Sequence, residues 1–170
     1  MNKFNIGCLF WFDDYVLENL SNRKDIIAFG GINCLWHGGR FIQKEYSLDE
    51  IENTISLYNT KGIPCRFVFS NHKITKEDLN DKLSNDILDI LSKNELNGVI
   101  ISSDLLYEYI RNKYPKMKIV CSVIKTCVET NNWINETPEL YNSLCEKYDF
   151  VVLNPSRNLD LDFLNLNQTN

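Results

Sequence analysis

The stretch GVIISSDLLYEYIRNKYPKMKIVCSV, residues 98–123, decides the fold class. It begins with an apolar run, continues as a helical pattern that Pro115 closes, and ends in a second apolar run from Lys118. Asp104 is placed to cap the helix between the two runs. Two apolar strands joined by one helix are typical of a parallel β–α–β unit.

The same alternation extends along most of the chain. Helices are predicted after Ser47, which forms a capping-box pattern with Glu50, after Thr75 with Asp78, and after Thr137–Pro138. Nearly continuous apolar runs favour strands that are buried on both faces, as in a parallel sheet. The predicted strands are IIAFGG (26–31), CRFVFS (65–70), GVIISS (98–103), KIVCSVI (118–124) and FVVLNP (150–155), with FNIGCLFWF (4–12) as a sixth candidate.

We therefore expect one α/β domain over residues 1–170, with a parallel (β/α) barrel-like fold that is incomplete at five to six βα units. A complete barrel of this type takes about 250 residues, so the chain is expected to form a truncated barrel. The alternative is an open doubly wound parallel sheet. The two differ in strand order, since only the doubly wound sheet places a later strand beyond the first.

Composition excludes several classes of function. The net charge of -5 without a basic block gives no support to nucleic-acid binding. No apolar run reaches the roughly 18 residues of a membrane-spanning helix, so no membrane association is expected. The 6 cysteines are dispersed and form no CxxC motif, which indicates reduced thiols in the cytoplasm. We expect no cofactor and no bound metal.

The candidate ligand site follows from the fold class. In parallel α/β proteins, ligands bind at the carboxyl ends of the strands. Polar and aromatic residues follow each predicted strand at that end. The candidate ligand-binding residues are Asn33, Trp36, His37, Gly38, Gly39, Arg40, Asn71, His72, Ser102, Ser122, Asn154 and Arg157.

The loop NCLWHGGR, residues 33–40, holds half of these candidates. Trp36 offers a flat apolar wall to a ligand, and Arg40 offers a planar cationic fork. The glycines allow close approach of a ligand or of another chain segment. An irregular loop whose tryptophan plugs the end of the barrel is the structural alternative. Two further arrangements remain open, a Cys34–His37 nucleophilic pair and a metal site of His37, His72 and Asp104.

The order of these pieces resembles the peptidase U32 family of collagenase-like proteases and their relatives. The matching stretches are the Gly-Gly strand end followed by WHGGR, then FVFSN, the stretch 98–123 and YDFVVLNPSRN, which together cover the chain from about residue 26 onward. The resemblance implies a TIM-like barrel with a ligand site at the strand ends. Some members of that family hold an iron–sulfur cluster, but its cysteines come later than any residue here.

The resemblance implies a domain that binds a small-molecule or peptide ligand, with hydrolase activity on an undetermined substrate; catalytic residues stay unknown. One alternative is a non-catalytic accessory module that pairs with a partner. Another is a relative of RNA- or small-molecule-modifying enzymes that lacks the cluster-binding part. Since an incomplete barrel leaves two sheet edges open, self-association or a partner protein at these edges is also expected.

Overall fold

The computed structural model describes residues 4–20, 22–38, 44–157, 160 and 163, which form one curled sheet with helices packed against it. The strands are β1 (Phe4–Gly7), β2 (Ile26–Gly30), β3 (Cys65–Phe69), β4 (Gly98–Ile101), β5 (Lys118–Cys121) and β6 (Phe150–Val151). The helices are α1 (Asp13–Asn19), α2 (Leu48–Thr60), α3 (Lys82–Ser92), α4 (Asp104–Lys113), α5 (Val123–Glu129) and α6 (Pro138–Lys147). Short 3-10 turns cover Asp78–Asn80 and Pro155–Arg157.

The strands lie in the sheet in the same order as in the chain, and every neighbouring pair is parallel. The sheet curls into about half of a barrel. This confirms the predicted incomplete parallel barrel, including the sixth strand near the start of the chain. The doubly wound alternative is wrong, because in that topology a later strand would lie on the far side of the first.

The two faces of the sheet differ in burial, as β3 illustrates. Its side chains alternate between the faces. Cys65, Phe67 and Phe69 are 0% exposed and belong to the core shared with the helices. Val68 is only half-buried and lies on the opposite face. In a curled sheet with its helices outside, that opposite face is the concave one, which in a closed barrel would be the interior.

Two predicted helix starts are confirmed. Ser47 Oγ accepts a hydrogen bond from the Glu50 backbone N at 3.2 Å, and Glu50 Oε2 accepts one from the Ser47 backbone N at 2.9 Å. This reciprocal pair is the capping box that begins α2. At α6, Thr137 is the N-cap and Pro138 the first helical residue.

Two other predicted starts are wrong, by six residues at α3 and by one residue at α4. Thr75 and Asp78 do exchange hydrogen bonds, but the turn they close is a 3-10 turn, and Asp81 caps α3 instead. At α4 the N-cap is Ser103, whose Oγ accepts from the Leu106 backbone N at 3.3 Å. Asp104 lies in the first helical turn, where its negative charge interacts favourably with the helix dipole.

All six predicted strands extend beyond the observed ones, three of them by more than two residues. The predicted strand 4–12 stops at Gly7, and α1 begins at Asp13. The predicted strand 118–124 stops at Cys121, because Ser122 caps the short helix α5. The predicted strand 150–155 is reduced to the two residues of β6. Neither α1 nor α5 was expected from the sequence. Among the residues described, no helix is both long enough and apolar enough to cross a membrane.

Candidate functional site

A cleft opens on the concave face where β1, β2 and β3 end. Its volume is about 390 Å³. Backbone and side chains of these strands form its floor, and two loops that follow the strands form its walls. The lining residues are Gly7, Trp11, Phe12, Phe29, Gly30, Gly31, His37 and Val68.

The wall nearest β1 carries two exposed aromatic rings. Trp11 is 53% exposed and Phe12 is 61% exposed. Phe10, just before them, has a φ of 70°, so the chain turns sharply there. The Phe10 backbone N donates to Asp13 Oδ1 at 3.1 Å, which holds this turn against the start of α1. The turn therefore presents Trp11 and Phe12 at the cleft instead of continuing β1.

The opposite wall carries His37, which the sequence predicted at this end of the sheet. Its Nδ1 lies 3.1 Å from the Val68 carbonyl oxygen, so the ring is fixed over the end of β3. Gly31 makes this position possible. A Cβ atom on Gly31 would lie 3.0 Å from the Val68 carbonyl oxygen and 3.2 Å from His37 Nδ1, which is too close for an undisturbed fit.

Trp36 is a core residue, so the expectation that its ring faces a ligand is wrong. The side chain is 0% exposed. Its ring packs edge-on against Phe69 and Tyr109, with centroids 5.3 and 5.8 Å away, and its Nε1 donates to the Asp78 carbonyl oxygen at 2.7 Å. The loop therefore anchors Trp36 in the core between the sheet and α4, which is neither a ligand wall nor the predicted plug at the barrel end.

The neighbours of Trp36 fasten the same loop to β3. The Asn71 backbone N donates to the Trp36 carbonyl oxygen at 3.0 Å, and Asn71 Nδ2 donates to the Leu35 carbonyl oxygen at 3.0 Å. A Cβ on Gly38 would lie 2.9 Å from Asn71 Cα, so glycine is required by this close approach. Asn33 and His72 are exposed beside the loop. Gly39 and Arg40 lie outside the described residues.

Three serines mark the carboxyl ends of β3, β4 and β5. Ser70, Ser102 and Ser122 directly follow Phe69, Ile101 and Cys121, which are register partners across the sheet. Ser70 Oγ accepts a hydrogen bond from the Gly38 backbone N at 3.3 Å, and Ser122 Oγ accepts from the Ile124 backbone N at 3.2 Å. Ser102 Oγ is buried without a hydrogen-bond partner among the described residues.

Asn154 and Arg157 do not reach the cleft, because a buried carboxylate holds them beside β6. Arg157 Nε and Asn154 Nδ2 donate to Glu136 Oε2 at 2.7 and 3.1 Å. The Tyr141 hydroxyl donates to Glu136 Oε1 at 2.6 Å, and the Glu136 side chain is 2% exposed. The hypothesis of one pocket shared by His37 and Asn154 is therefore not supported. Sequence reasoning missed Glu136, the centre of this cluster.

Asp104 is likewise engaged away from the cleft. Lys125 Nζ donates to Asp104 Oδ2 at 2.6 Å, and Lys147 Nζ donates to Asp104 Oδ1 at 2.8 Å. Partial burial raises the pKa of Asp104, but these two cations outweigh it and lower the pKa overall. The carboxylate is thus neutralised by lysines and does not join His37 and His72. Within the described residues, no three His, Cys, Asp or Glu side chains are placed to bind a metal.

The cysteines show no activated thiol beside His37. Burial raises the pKa of Cys34, and the hydrogen bonds to its sulfur come from the Ser84 side chain and from the backbone of His37 and Trp36, which do not outweigh burial. This argues against the Cys34–His37 nucleophilic pair, since a thiolate is the attacking species. Cys65 and Cys121 are buried in β3 and β5, as the sequence indicates, and burial raises the pKa of each to about 12. All six cysteines have free thiols.

The fold and the cleft together define an incomplete parallel α/β barrel with an open site at its strand carboxyl ends. Comparison of the chain with protein-family models, with curated proteins and with solved structures finds no match in any of the three.

Trp11 and Phe12 were not predicted as site residues, because their apolar run favours a continuation of the first strand. The acidic pair Asp13–Asp14 was the available signal, since such residues favour the first turn of a helix.

Proposed function

We propose that the protein binds a small molecule whose flat apolar group occupies the cleft between Trp11, Phe12 and Phe29. The observation that carries this proposal is the position of two exposed aromatic rings at the strand carboxyl ends. Exposed apolar side chains that lie together in a groove, unlike singly exposed ones, are typical of ligand-binding surfaces. The volume of about 390 Å³ lies within the range of small-molecule sites, roughly 300–1,000 Å³.

The composition of the cleft supports binding of a flat ligand. Gly7, Gly30 and Gly31 line it and carry no side chains, so a ring can lie close to the backbone. Phe29 and Val68 supply apolar floor, and His37 is the polar side chain of the lining. Ligand sites typically combine mostly apolar walls with a few fixed polar groups.

Replacement of Trp11 tests this proposal. We expect Trp11→Ala to weaken binding of 3-phenylpropionate, a ring probe of suitable size, by about tenfold, since a buried aromatic contact contributes about 1–2 kcal/mol. Affinity is measured by titration followed in ¹H–¹⁵N spectra. Tyr15→Ala is the matched control, because Tyr15 is 63% exposed and does not line the cleft. Equal affinity in both variants, or no binding to the wild type, would remove the proposal.

Binding without catalysis is the form of the proposal that we favour. The raised pKa values of Cys34, Cys65 and Cys121 leave these thiols protonated at neutral pH.

The relationship to the peptidase U32 family, with its hydrolase activity, remains a proposal that the consecutive order of parallel strands supports. A cytoplasmic location is also proposed, and the six free thiols support it.

An accessory role that pairs with a partner remains the second candidate. The observation in its favour is that the edge strands carry exposed aromatic residues, Phe4 on β1 and Phe150 on β6, each 57% exposed. Unpaired edges with exposed apolar side chains favour strand pairing with another chain. For this role we propose that a second copy of the chain pairs with these edge strands, because the two edges belong to one parallel sheet and strands of a second copy can continue it.

A further inference from the structure

Ser102 is one of three residues, with Arg66 and Trp133, whose buried side-chain polar atoms lack a hydrogen-bond partner within the described part of the chain. It is 5% exposed, and its Oγ has no hydrogen-bond partner among the described residues. Buried polar atoms in folded proteins nearly always have a partner in the protein, in ordered water or in a ligand. The neighbouring Ser103, 6% exposed, has such a partner in the backbone of α4.

The side chain of Ser102 lies on the concave face, the face of the cleft. Ile101 is 0% exposed in the helix-covered core, and side chains alternate along the extended chain. Ser102 therefore shares a face with Ile100, which is the register partner of Val68 in the cleft floor. One strand across and two residues along correspond to about 8 Å between Val68 and Ser102. A single small molecule spans that distance.

The serines on either side make Ser102 the centre of a row of donors. Ser70 Oγ and Ser122 Oγ each accept a backbone hydrogen bond, at 3.3 and 3.2 Å. A hydroxyl that accepts still has its own hydrogen to donate. Adjacent parallel strands lie about 4.8 Å apart, so the backbones of the three serines follow one another along this rim at about that spacing. Such a row suits oxygen acceptors of a ligand.

We propose that Ser102 binds a carboxyl-type oxygen, a carboxylate or an amide carbonyl, of the ligand whose apolar group fills the cleft. The ligand class is thus a small aromatic or apolar acid or amide with about 8 Å between its two ends. This inference rests on the proposed function. It adds the polar half of the ligand and the residue that recognises it.

Three probes that share one ring separate the two halves of the site: 3-phenylpropionate, 3-phenylpropionamide and 3-phenylpropylamine, which lacks an acceptor oxygen. We expect Ser102→Ala to weaken binding of the acid, the amide or both by about tenfold, as for a lost hydrogen bond to a charged or carbonyl group. Binding of the amine should not change. A loss confined to the acid identifies a carboxylate, and a loss for both identifies the carbonyl oxygen.

Ser103→Ala is the matched control for position and burial. It removes the N-cap of α4 and should lower the melting temperature without changing any of the three affinities. Ser102→Ala should not lower the melting temperature, since it removes a hydroxyl without a partner. A fall equal to that of Ser103→Ala would show that Ser102 is bonded within the protein and would overturn the inference.

The result also distinguishes this inference from the proposed function. If all three probes bind and depend on Trp11 but not on Ser102, the cleft stands and the serine anchor is wrong. If no probe binds the wild-type protein at millimolar concentration, the cleft proposal fails, and the anchor fails with it. Tenfold losses in both Trp11→Ala and Ser102→Ala, with the amine sensitive to Trp11 alone, establish both.

Discussion

Trp36→Ala should lower the free energy of unfolding by about 3–5 kcal/mol, the cost typical of removing a fully buried large aromatic side chain. The Trp36 ring is 0% exposed between Phe69 and Tyr109, so its removal leaves a cavity between β3 and α4. The variant also frees the Asp78 carbonyl oxygen that the indole Nε1 now satisfies at 2.7 Å. Urea unfolding measures the loss.

Trp11→Ala is the internal comparison for that experiment. Trp11 is 53% exposed, so its removal should change the free energy of unfolding by less than about 1 kcal/mol. Trp36 is thus expected to contribute to stability and Trp11 to ligand binding. A small loss of stability in Trp36→Ala would contradict the assignment of Trp36 to the core and would favour the earlier expectation that its ring faces a ligand.

Glu136→Gln is expected to lower the free energy of unfolding by about 2–3 kcal/mol at pH 7. The substitution removes the negative charge to which Arg157, Asn154 and Tyr141 donate hydrogen bonds. The carboxylate is 2% exposed, whereas Arg157 is 33% exposed, so the cost stays below that of a fully buried pair. Glu139→Gln is the matched control, since Glu139 is exposed in the first turn of α6. We expect the control to change stability by less than about 0.5 kcal/mol.

The pH dependence of the Glu136 effect follows from its lowered pKa. Burial raises the pKa of this carboxyl, but the hydrogen bonds from Tyr141, Arg157 and Asn154 outweigh burial and lower it overall. The stabilisation is therefore complete above the unfolded-state pKa, about 4.3, and is lost as the pH falls through the lower folded-state pKa. Unfolding curves from pH 7 down to pH 3 should show wild type and Glu136→Gln converging. A difference independent of pH would contradict this account.

The strands were predictable because their burial leaves a local trace in the sequence. In a run such as CRFVFS four of the six residues are apolar, three of them consecutive, and this pattern favours a strand of a parallel sheet. The regular alternation with helices predicted parallel strands but left two strand orders open, and the structure decides between them. The missed helix α5, VIKTCVE, is rich in β-branched residues, so its local pattern favours a strand. In the structure, Ser122 is the N-cap of this helix, and its Oγ accepts a hydrogen bond from the Ile124 backbone N.

The candidate site was predictable in location but not in membership. The rule that ligands bind at strand carboxyl ends predicted His37 and Ser102 at that edge of the sheet, where the structure has both. It gave no information on which way Trp36 points, because a tryptophan after a strand suits either a core or a ligand wall. The role of Asn154 depended on Glu136, 18 residues earlier in the chain, and such a pairing is visible only in three dimensions.

The mapping of a bound probe onto the chain tests the central claim most directly. In ¹H–¹⁵N spectra, titration with 3-phenylpropionate should shift the backbone amides of Gly7, Phe12, Gly31 and Val68, which line the cleft. The amides of Ser102 and Ser103 should shift as well, since the acid end is expected at the carboxyl end of β4. Shifts confined to the opposite end of the sheet, around Asn97 and Met117, or the absence of shifts at saturating probe, would contradict a ligand site at the strand carboxyl ends.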